Sequence, residues 1–440
     1  MKSLPLLLLF VSSMLLLSLT ACGGRQSELL SPSRQVNKLV IDADLVYPFG
    51  ITVYLDSVGR ENVSVGNILG GVFPVRLGNG TWPCPNPNGL RNSQFSEIYR
   101  YKFGDTIDKT YIKSYHGFIE RGTFFKKSNG EIDLYFVENR DGHILKIDES
   151  SVSIDNRPVI DELTSTGGAR PYDIKVTHMG GRTVDDSSVD VIYSTYYNNQ
   201  LVMRRATDGQ LQVLADKLSE NRSVELFRFA GDLYPSVVTQ GVGATKSFDP
   251  HTGWVSVVRN HGGYQFTEHR FDLRGAAYAR LAPLDSRRPD ELFLILSHGL
   301  RDEIQSSVDH GLSIYRYFAD TNTISKVTEI LMPYVYRFDI QDLNSDGILD
   351  IVIGGHDGSG VLTVLLSRSG PTPTYDTIPI DRGLVAINDV KFGRTKDGVG
   401  TLYVVVDNGN GCPRKLGGSR LVRYQFTMPV TLAGLQSTKF

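Results

Sequence analysis

The chain has 440 residues, with 46 Lys and Arg against 48 Asp and Glu, a formal net charge of −2. With no basic stripe and no long acidic run, that balance excludes a nucleic-acid reader held by phosphate contacts and a solvating acidic tail. Hydrophobic residues at 40%, together with 44 glycines and 21 tyrosines, describe a globular chain rich in strands and turns.

At the N-terminus Lys2 precedes an apolar run from Leu4 to Leu19, followed by Leu19-Thr20-Ala21-Cys22. The stretch resembles a bacterial lipoprotein signal covering residues 1–21, which implies that Cys22 is acylated and becomes the first mature residue. An ordinary secretory cut after small residues such as Thr20 and Ala21 is the alternative, and either takes the chain out of the cytoplasm. Gly23 stands where enterobacterial lipoproteins retained at the inner membrane carry an aspartate, so the resemblance implies the outer membrane, with the chain periplasmic or surface-exposed. Residues 22–35, rich in glycine, serine and charge, read as a flexible tether. No later run approaches the roughly 18 apolar residues of a membrane span, so the lipid is the only expected anchor.

From residue 36 to 440 the chain reads as one domain of seven repeats. The first is VGNILGGVFPVRLGNGTW (Val65 to Trp82), the second contains NGEIDLYFVENRDGHILKI (Asn129 to Ile147), and the third contains Val189 to Arg205. The fourth is anchored by WVSVVRNHGGYQFTEHRF (Trp254 to Phe271) behind a strand near Tyr234 to Val238. Pro289 to Leu300, Leu349 to Leu366 and Gly400 to Gly411 are the fifth to seventh. Val75, Asp133, Asp190, Ser236, Asp290, Asp350 and Thr401, taken as equivalent points, are 46 to 60 residues apart. That interval suits four strands: a mixed one such as Tyr334 to Ile340, an apolar run, and two outer ones such as Gly311 to Phe318 and Asn322 to Ile330. The prediction is an all-β chain closed as a β-propeller of seven four-stranded blades, since radial closure shields the sheet edges. Lys38 to Val46 and Ile51 to Leu55 are expected to complete the last blade beside Arg420 to Thr427.

The sixth repeat carries the clearest chemistry. Asp342, Asn344, Asp346 and Asp350 occupy loop positions 1, 3, 5 and 9, Gly347 permits the turn at position 6, and the carbonyl of Ile348 is available at position 7. Alternating hard oxygen donors of this kind suit Ca2+. An EF-hand would have glutamate where Ile353 stands and a helix where the strand-like LDIVI follows. Asp, Asn and Gly also fill turns for conformational reasons alone. DLNSDGILDIVI, with RNHGGYQFTE, resembles the FG-GAP or VCBS repeats of integrin-α-like propellers, which implies calcium in a loop between two blade strands. The resemblance is strong at Asp342 to Ile353 and poor in repeats one, four and seven. Equivalent positions elsewhere are Phe125 and Lys127, or Arg182 and Val184, and the fifth repeat has only Asp285 and Asp290 around Arg287 and Arg288, so one Ca2+ is expected.

Neither G-x-S-x-G nor H-E-x-x-H occurs, and the histidines are scattered. The turns after the second strands carry Asn79, Arg140, Tyr196, Tyr197, Gln240, His298, His356 and Asp407, predicted to share one face of the ring. Among them Arg140, Tyr196, Tyr197, His298 and His356 form the expected ligand-binding set. Polar turns gather on that face of any propeller, which is the plain alternative. The functional expectation is a binding or scaffold module for a glycan or an envelope protein. The alternative is a carbohydrate-active enzyme such as a polysaccharide lyase, with Arg140, Tyr196, His298 and His356 as base and charge neutraliser. If Cys22 carries lipid, Cys84 and Cys412 remain to pair, stay free or bond outside the chain. They lie in matching contexts, each followed by proline (Pro85 and Pro413), so a disulfide clasping repeats one and seven is expected.

Overall fold

The structure is a computed structural model. It describes residues 36–427 except 46, 69–94, 117, 140–141, 153–157, 166–169, 181–188, 197, 219–220, 242–253, 274–275, 299–310, 333–334, 356–360, 369, 371, 385, 397 and 408–418. All described strands lie in the compact unit Val36–Phe440. Cys22, Cys84, Cys412, Arg140, Tyr197 and His356 lie outside the described residues.

Among the described residues, twenty-eight strands form seven separate four-stranded antiparallel sheets. The predicted propeller is what the chain builds. Blade six shows the plan: an inner strand Val335–Gln341, then Asp350–Gly355, Leu362–Arg368 and an outer strand Thr374–Asp381. Second strands sit between neighbouring blades, so both their faces are apolar; Ile132–Glu138 and Leu292–His298 are buried along their whole length. Each core is shared between neighbours, as where Val352 and Val364 of blade six pack with Ile387 and Val404 of blade seven. Each such side chain is stabilised by roughly 1.5–3 kcal/mol on burial.

The last blade combines Ala386–Phe392, Val399–Asp407 and Ser419–Thr427 with the N-terminal strand Val36–Leu45, which runs antiparallel to Ser419–Thr427 with Val40 opposite Val422. Lys38 adds an ion pair to Asp381 of blade six at 2.6 Å. The closing strand is therefore the one expected at Lys38 to Val46. Ile51 to Leu55 is not part of it: Pro48–Leu55 is the inner strand of blade one. It turns through Asp56 to Gly59, where Gly59 N donates to Asp56 O at 3.0 Å and Gly59 takes φ +77, and returns as Glu61–Ile68. The second strand of blade one is thus Glu61–Ile68. Val75 lies beyond it, outside the described residues, so the glycine spacing of Val65 to Trp82 misplaced the first repeat. Blades one and seven are neighbours: Ile51 N donates to Asp389 Oδ2 at 3.1 Å, and Asn388 Nδ2 to the Pro48 carbonyl at 2.8 Å.

Candidate functional site: the mouth of the channel

All seven inner strands break register against their second strands near their first residues. The irregularities fall between Pro48 and Ile51, Ile119 and Gly122, Pro171 and Ile174, Asn221 and Ser223, Ala276 and Tyr278, Val335 and Arg337, and Ile387 and Asp389. A bulge adds a residue to one strand, bends it and re-aims its side chains. Seven in one ring, at the end of the inner strands that meets the second-to-third-strand turns, set the side chains of the channel mouth. Those residues include Phe49, Glu120, Tyr172, Arg222, Tyr336 and Asn388.

Aromatic and guanidinium groups interleave there. The hydroxyls of Tyr172 and Tyr336 are hydrogen-bonded at 2.7 Å. Phe49 meets Tyr172 edge-on at 5.9 Å, and Tyr196 stacks on Tyr172 at 6.2 Å. The Arg222 guanidinium lies 5.5 Å from the Tyr196 ring and 5.9 Å from that of Tyr172, and Arg121 lies 5.2 Å from Phe49. Arg337 Nη2 donates to the Arg222 carbonyl at 2.9 Å.

Beneath the mouth, charge pairs tie the inner strands together. Arg121 Nη1 reaches Asp389 at 2.8 Å, Arg337 Nη1 lies 3.6 Å from Asp173, and Lys175 meets Glu225 at 3.0 Å. Arg280 pairs with Asp339, and Tyr278 donates to Glu225. Burial alone would raise the Glu225 carboxyl, but Lys175, Arg280 and Lys391 hold it at about 2. Asp389 is likewise lowered against its burial, chiefly by Arg121. Glu120 goes the other way. At 3% exposure its burial outweighs Arg121, Arg222, Arg337 and Arg170 and raises it to about 8, so it is largely protonated at neutral pH. Tyr336 is lowered despite burial because Arg222, Arg337 and Arg121 favour its anion, while burial and the proximity of Tyr336 raise Tyr172.

Of the predicted ligand set, the structure brings Tyr196 to this mouth, half-buried, with its backbone N–H donated to the Arg170 carbonyl at 2.9 Å. His298 is placed differently. It is 3% exposed and its Nε2 lies 2.9 Å from Ser313 Oγ within blade five, so it serves the sheet. Gln240 and Asp407 are also tied into the fold, by Ala277 O at 2.7 Å and by Ser419 Oγ at 2.9 Å. Sequence reasoning missed Glu120, Arg121, Tyr172, Arg222, Arg337 and Tyr336, because they sit in the strands that read only as mixed. The signal was there in YDIKV, RSVEL, YRFDI and NDVKF, where charges recur at equivalent places along otherwise apolar strands.

The loop after Val335–Gln341 lies at the opposite end of the blade. Asp342 accepts from Asp346 N at 3.2 Å and Gly347 N at 2.9 Å, Asn344 Oδ1 from Asp346 N at 3.2 Å, and Asp346 from Ile348 N at 2.8 Å. Gly347 takes φ +84, where any other side chain would be strained, and a Cβ there would sit 2.9 Å from Ser286 Oγ of blade five and displace it. Each accepting oxygen keeps a further lone pair for a hard cation, and three acids with an amide are the right chemistry for calcium. Asp350 is committed elsewhere: it accepts from Leu343 N at 3.0 Å and Ser367 N at 2.8 Å. Its burial, opposed by those two bonds and reinforced by Asp346 and Asp342, raises it to about 7. Asp190 holds the same post in blade three, accepting from Met179 N at 2.6 Å and Ala206 N at 2.7 Å, and Asp133 in blade two is ion-paired to Lys127 and Lys146, each at 3.0 Å. The aspartate opening the second strand is thus a clamp between the preceding segment and the third strand, with or without loop acids. Among the described residues no three acidic, histidine or cysteine side chains are gathered closely enough to hold a metal. The donors therefore fit calcium in kind, while this arrangement does not converge them.

No protein-family model and no curated protein sequence matches the chain. Solved structures do. A catalytically inactive virginiamycin B lyase from Staphylococcus aureus, crystallised with quinupristin, is 13% identical, with a TM-score of 0.51 over 90% of this chain and all of that one. A candidate 6-phosphogluconolactonase from Bacteroides uniformis is 11% identical, with a TM-score of 0.45 over 75% of this chain and 86% of its own. BBS1N, solved in complex with ARL6DN, is 9% identical, with a TM-score of 0.49 over 90% and 96%. Identities this low speak to the fold alone: the chain is a seven-bladed, all-β propeller.

Proposed function

We propose that the chain is a lipid-anchored, extracytoplasmic binding module whose ligand face is the mouth of the channel, with a glycan or an envelope protein as its partner. The observation carrying this reading is the ring of seven register breaks, which gathers aromatic and arginine side chains at one end of the inner strands. Stacked tyrosines beside guanidiniums suit the faces and hydroxyls of sugars as well as the side chains of a protein. The chain, purified in detergent and applied to a glycan array, is expected to select a ligand. Tyr196→Ala should weaken that binding while altering stability by no more than about 1 kcal/mol. Undiminished affinity in Tyr196→Ala would place the ligand face elsewhere.

The address rests on the signal that precedes Cys22, and the metal on Asp342, Asn344 and Asp346 together with the Ile348 carbonyl. Asp350 would join them as a ligand only if its carboxylate also reached the ion from its clamp. A second reading, a lyase acting on an acidic polysaccharide, draws on one feature. The lowered Tyr336 hydroxyl amid Arg121, Arg222 and Arg337 combines a base with charge neutralisation. Release of unsaturated uronate from acidic polysaccharides by the wild type, abolished in Tyr336→Phe, would favour it over the binding module.

A further inference from the structure

The chain enters the ring at the end opposite the mouth. Val36 pairs with Phe426, which in turn pairs with Gly400 near the start of the second strand of blade seven. The segment preceding Val36 is therefore attached at the end that carries the acidic loop. That end also displays apolar side chains on fixed turns. In blade one, Asp56 Oδ1 accepts from Val58 N at 3.1 Å and Arg60 N at 2.8 Å, and Gly59 takes φ +77, which sets a tight hairpin with Val58 at its tip, 70% exposed. In blade four, Asp232 N donates to the Phe229 carbonyl at 3.1 Å, and Arg259 lies 3.6 Å from Asp232 and 4.5 Å from the Phe229 ring. Leu233 follows that anchored stretch and is 81% exposed. Leu55, Phe124, Leu211 and Phe318, also exposed, lie toward the same end of blades one, two, three and five. Turn tips ordinarily carry Gly, Asn, Asp or Ser, and neither Val58 nor Leu233 contributes to a core.

We propose that this end of the ring lies against a lipid bilayer, with Val58 and Leu233 entering the interface and the mouth turned away from it. The inference rests on the lipid anchor at Cys22 in the function proposed above and adds an orientation to it. Residues 22–35, as a flexible chain, would span about 20 Å. The strand Val36–Leu45, with 10 residues, carries the chain about 33 Å from this end toward the mouth. An anchor at Cys22 thus holds the apolar end near the bilayer and the mouth away from it. Because both turns are already fixed, seating them costs little ordering. The cations of this end are spent on their own neighbours: Arg60 on Asp56 at 3.0 Å, Arg205 on Asp208 at 2.5 Å, and Arg287 on Asp285 at 2.8 Å. With Asp342 and Asp346 beside them, the face suits zwitterionic headgroups and disfavours anionic ones.

The test is fluorescence quenching in the full chain, reconstituted from detergent into phosphatidylcholine vesicles with and without brominated acyl chains. Leu233→Trp places a reporter at the blade-four tip. Leu331→Trp places one at the last residue of the outer strand of blade five, toward the mouth and 76% exposed, so neither substitution disturbs packing. A tip seated about 5–10 Å into the interface meets the bromines, so the signal added by Leu233→Trp is expected to fall at least about twofold. The signal added by Leu331→Trp should not change. Equal quenching of the two, stronger quenching in Leu331→Trp, or none in either would overturn the proposal, the last being the result for a face covered by protein or by a second copy. In each of these cases a chain that still floats with the vesicles keeps its lipid anchor. A chain that does not float removes the anchor and the orientation together.

Discussion

Glu120 and Arg121 are adjacent in sequence yet stand at opposite electrostatic extremes. Burial raises the Glu120 carboxyl from 4.5 to about 8, so the folded chain keeps a proton that the unfolded chain releases. Stability from this residue is therefore present below about pH 4.5 and falls as pH rises through about 8. Glu120→Gln should match the wild type near pH 4.5 and exceed it by about 1–3 kcal/mol at pH 8.5, allowing for relaxation around the site. Asp350 titrates in the same sense, so the two proteins must be compared at equal pH. Equal melting temperatures at both pH values would show that Glu120 is solvated. Asp389→Asn removes the charge that answers Arg121 and should cost about 3–5 kcal/mol, measurable by urea unfolding. Neither residue drew attention in the sequence, because a charge in one strand of a repeat says nothing until the ring brings seven such strands together.

At the scale of elements, the apolar second strands were legible because both their faces are buried, and Ser236–Gly241 emerged where the degenerate fourth repeat predicted it. The first hairpin was not. GITVYL and ENVSVGNI alternate strongly, but the glycine-rich stretch after them imitated the spacing of a repeat and shifted the first blade's anchor to Val75. Bulges escape such reading entirely, since one extra residue leaves no mark in an alternation this short. Their packing is tight: a Cβ on Gly50 would lie 2.5 Å from the Glu120 carbonyl oxygen. Gly50→Ala should therefore push blades one and two apart and lower stability by about 1–3 kcal/mol in thermal unfolding. The acidic loop makes a separate prediction. Chelation with EDTA should lower the melting temperature of the wild type and leave Asp346→Ala unaffected; an identical response in both would remove calcium from the account.

For the whole molecule, closure joins the chain's beginning to its end. The pairing of Val36–Leu45 with Ser419–Thr427 was legible from the apolar residues preceding the first repeat, though one of the two segments nominated for it belongs to blade one. In chain order Cys84 and Cys412, both outside the described residues, come after the second strands of blades one and seven, which are neighbours. A second clasp there should leave no reactive thiol at either position in the denatured, unreduced chain, and two thiols would refute it. The proposed binding face was only half legible: the sequence pointed to Tyr196, at the end of the ring where the inner strands bulge, but not to Arg121, Arg222 or Arg337. Its most direct test is the affinity of the array-selected ligand for wild type, Arg222→Ala and Asp342→Ala, all in excess calcium. The account predicts a loss of at least about tenfold, or 1.4 kcal/mol, in Arg222→Ala at the mouth and less than about twofold in Asp342→Ala at the opposite end. The reverse order would contradict it.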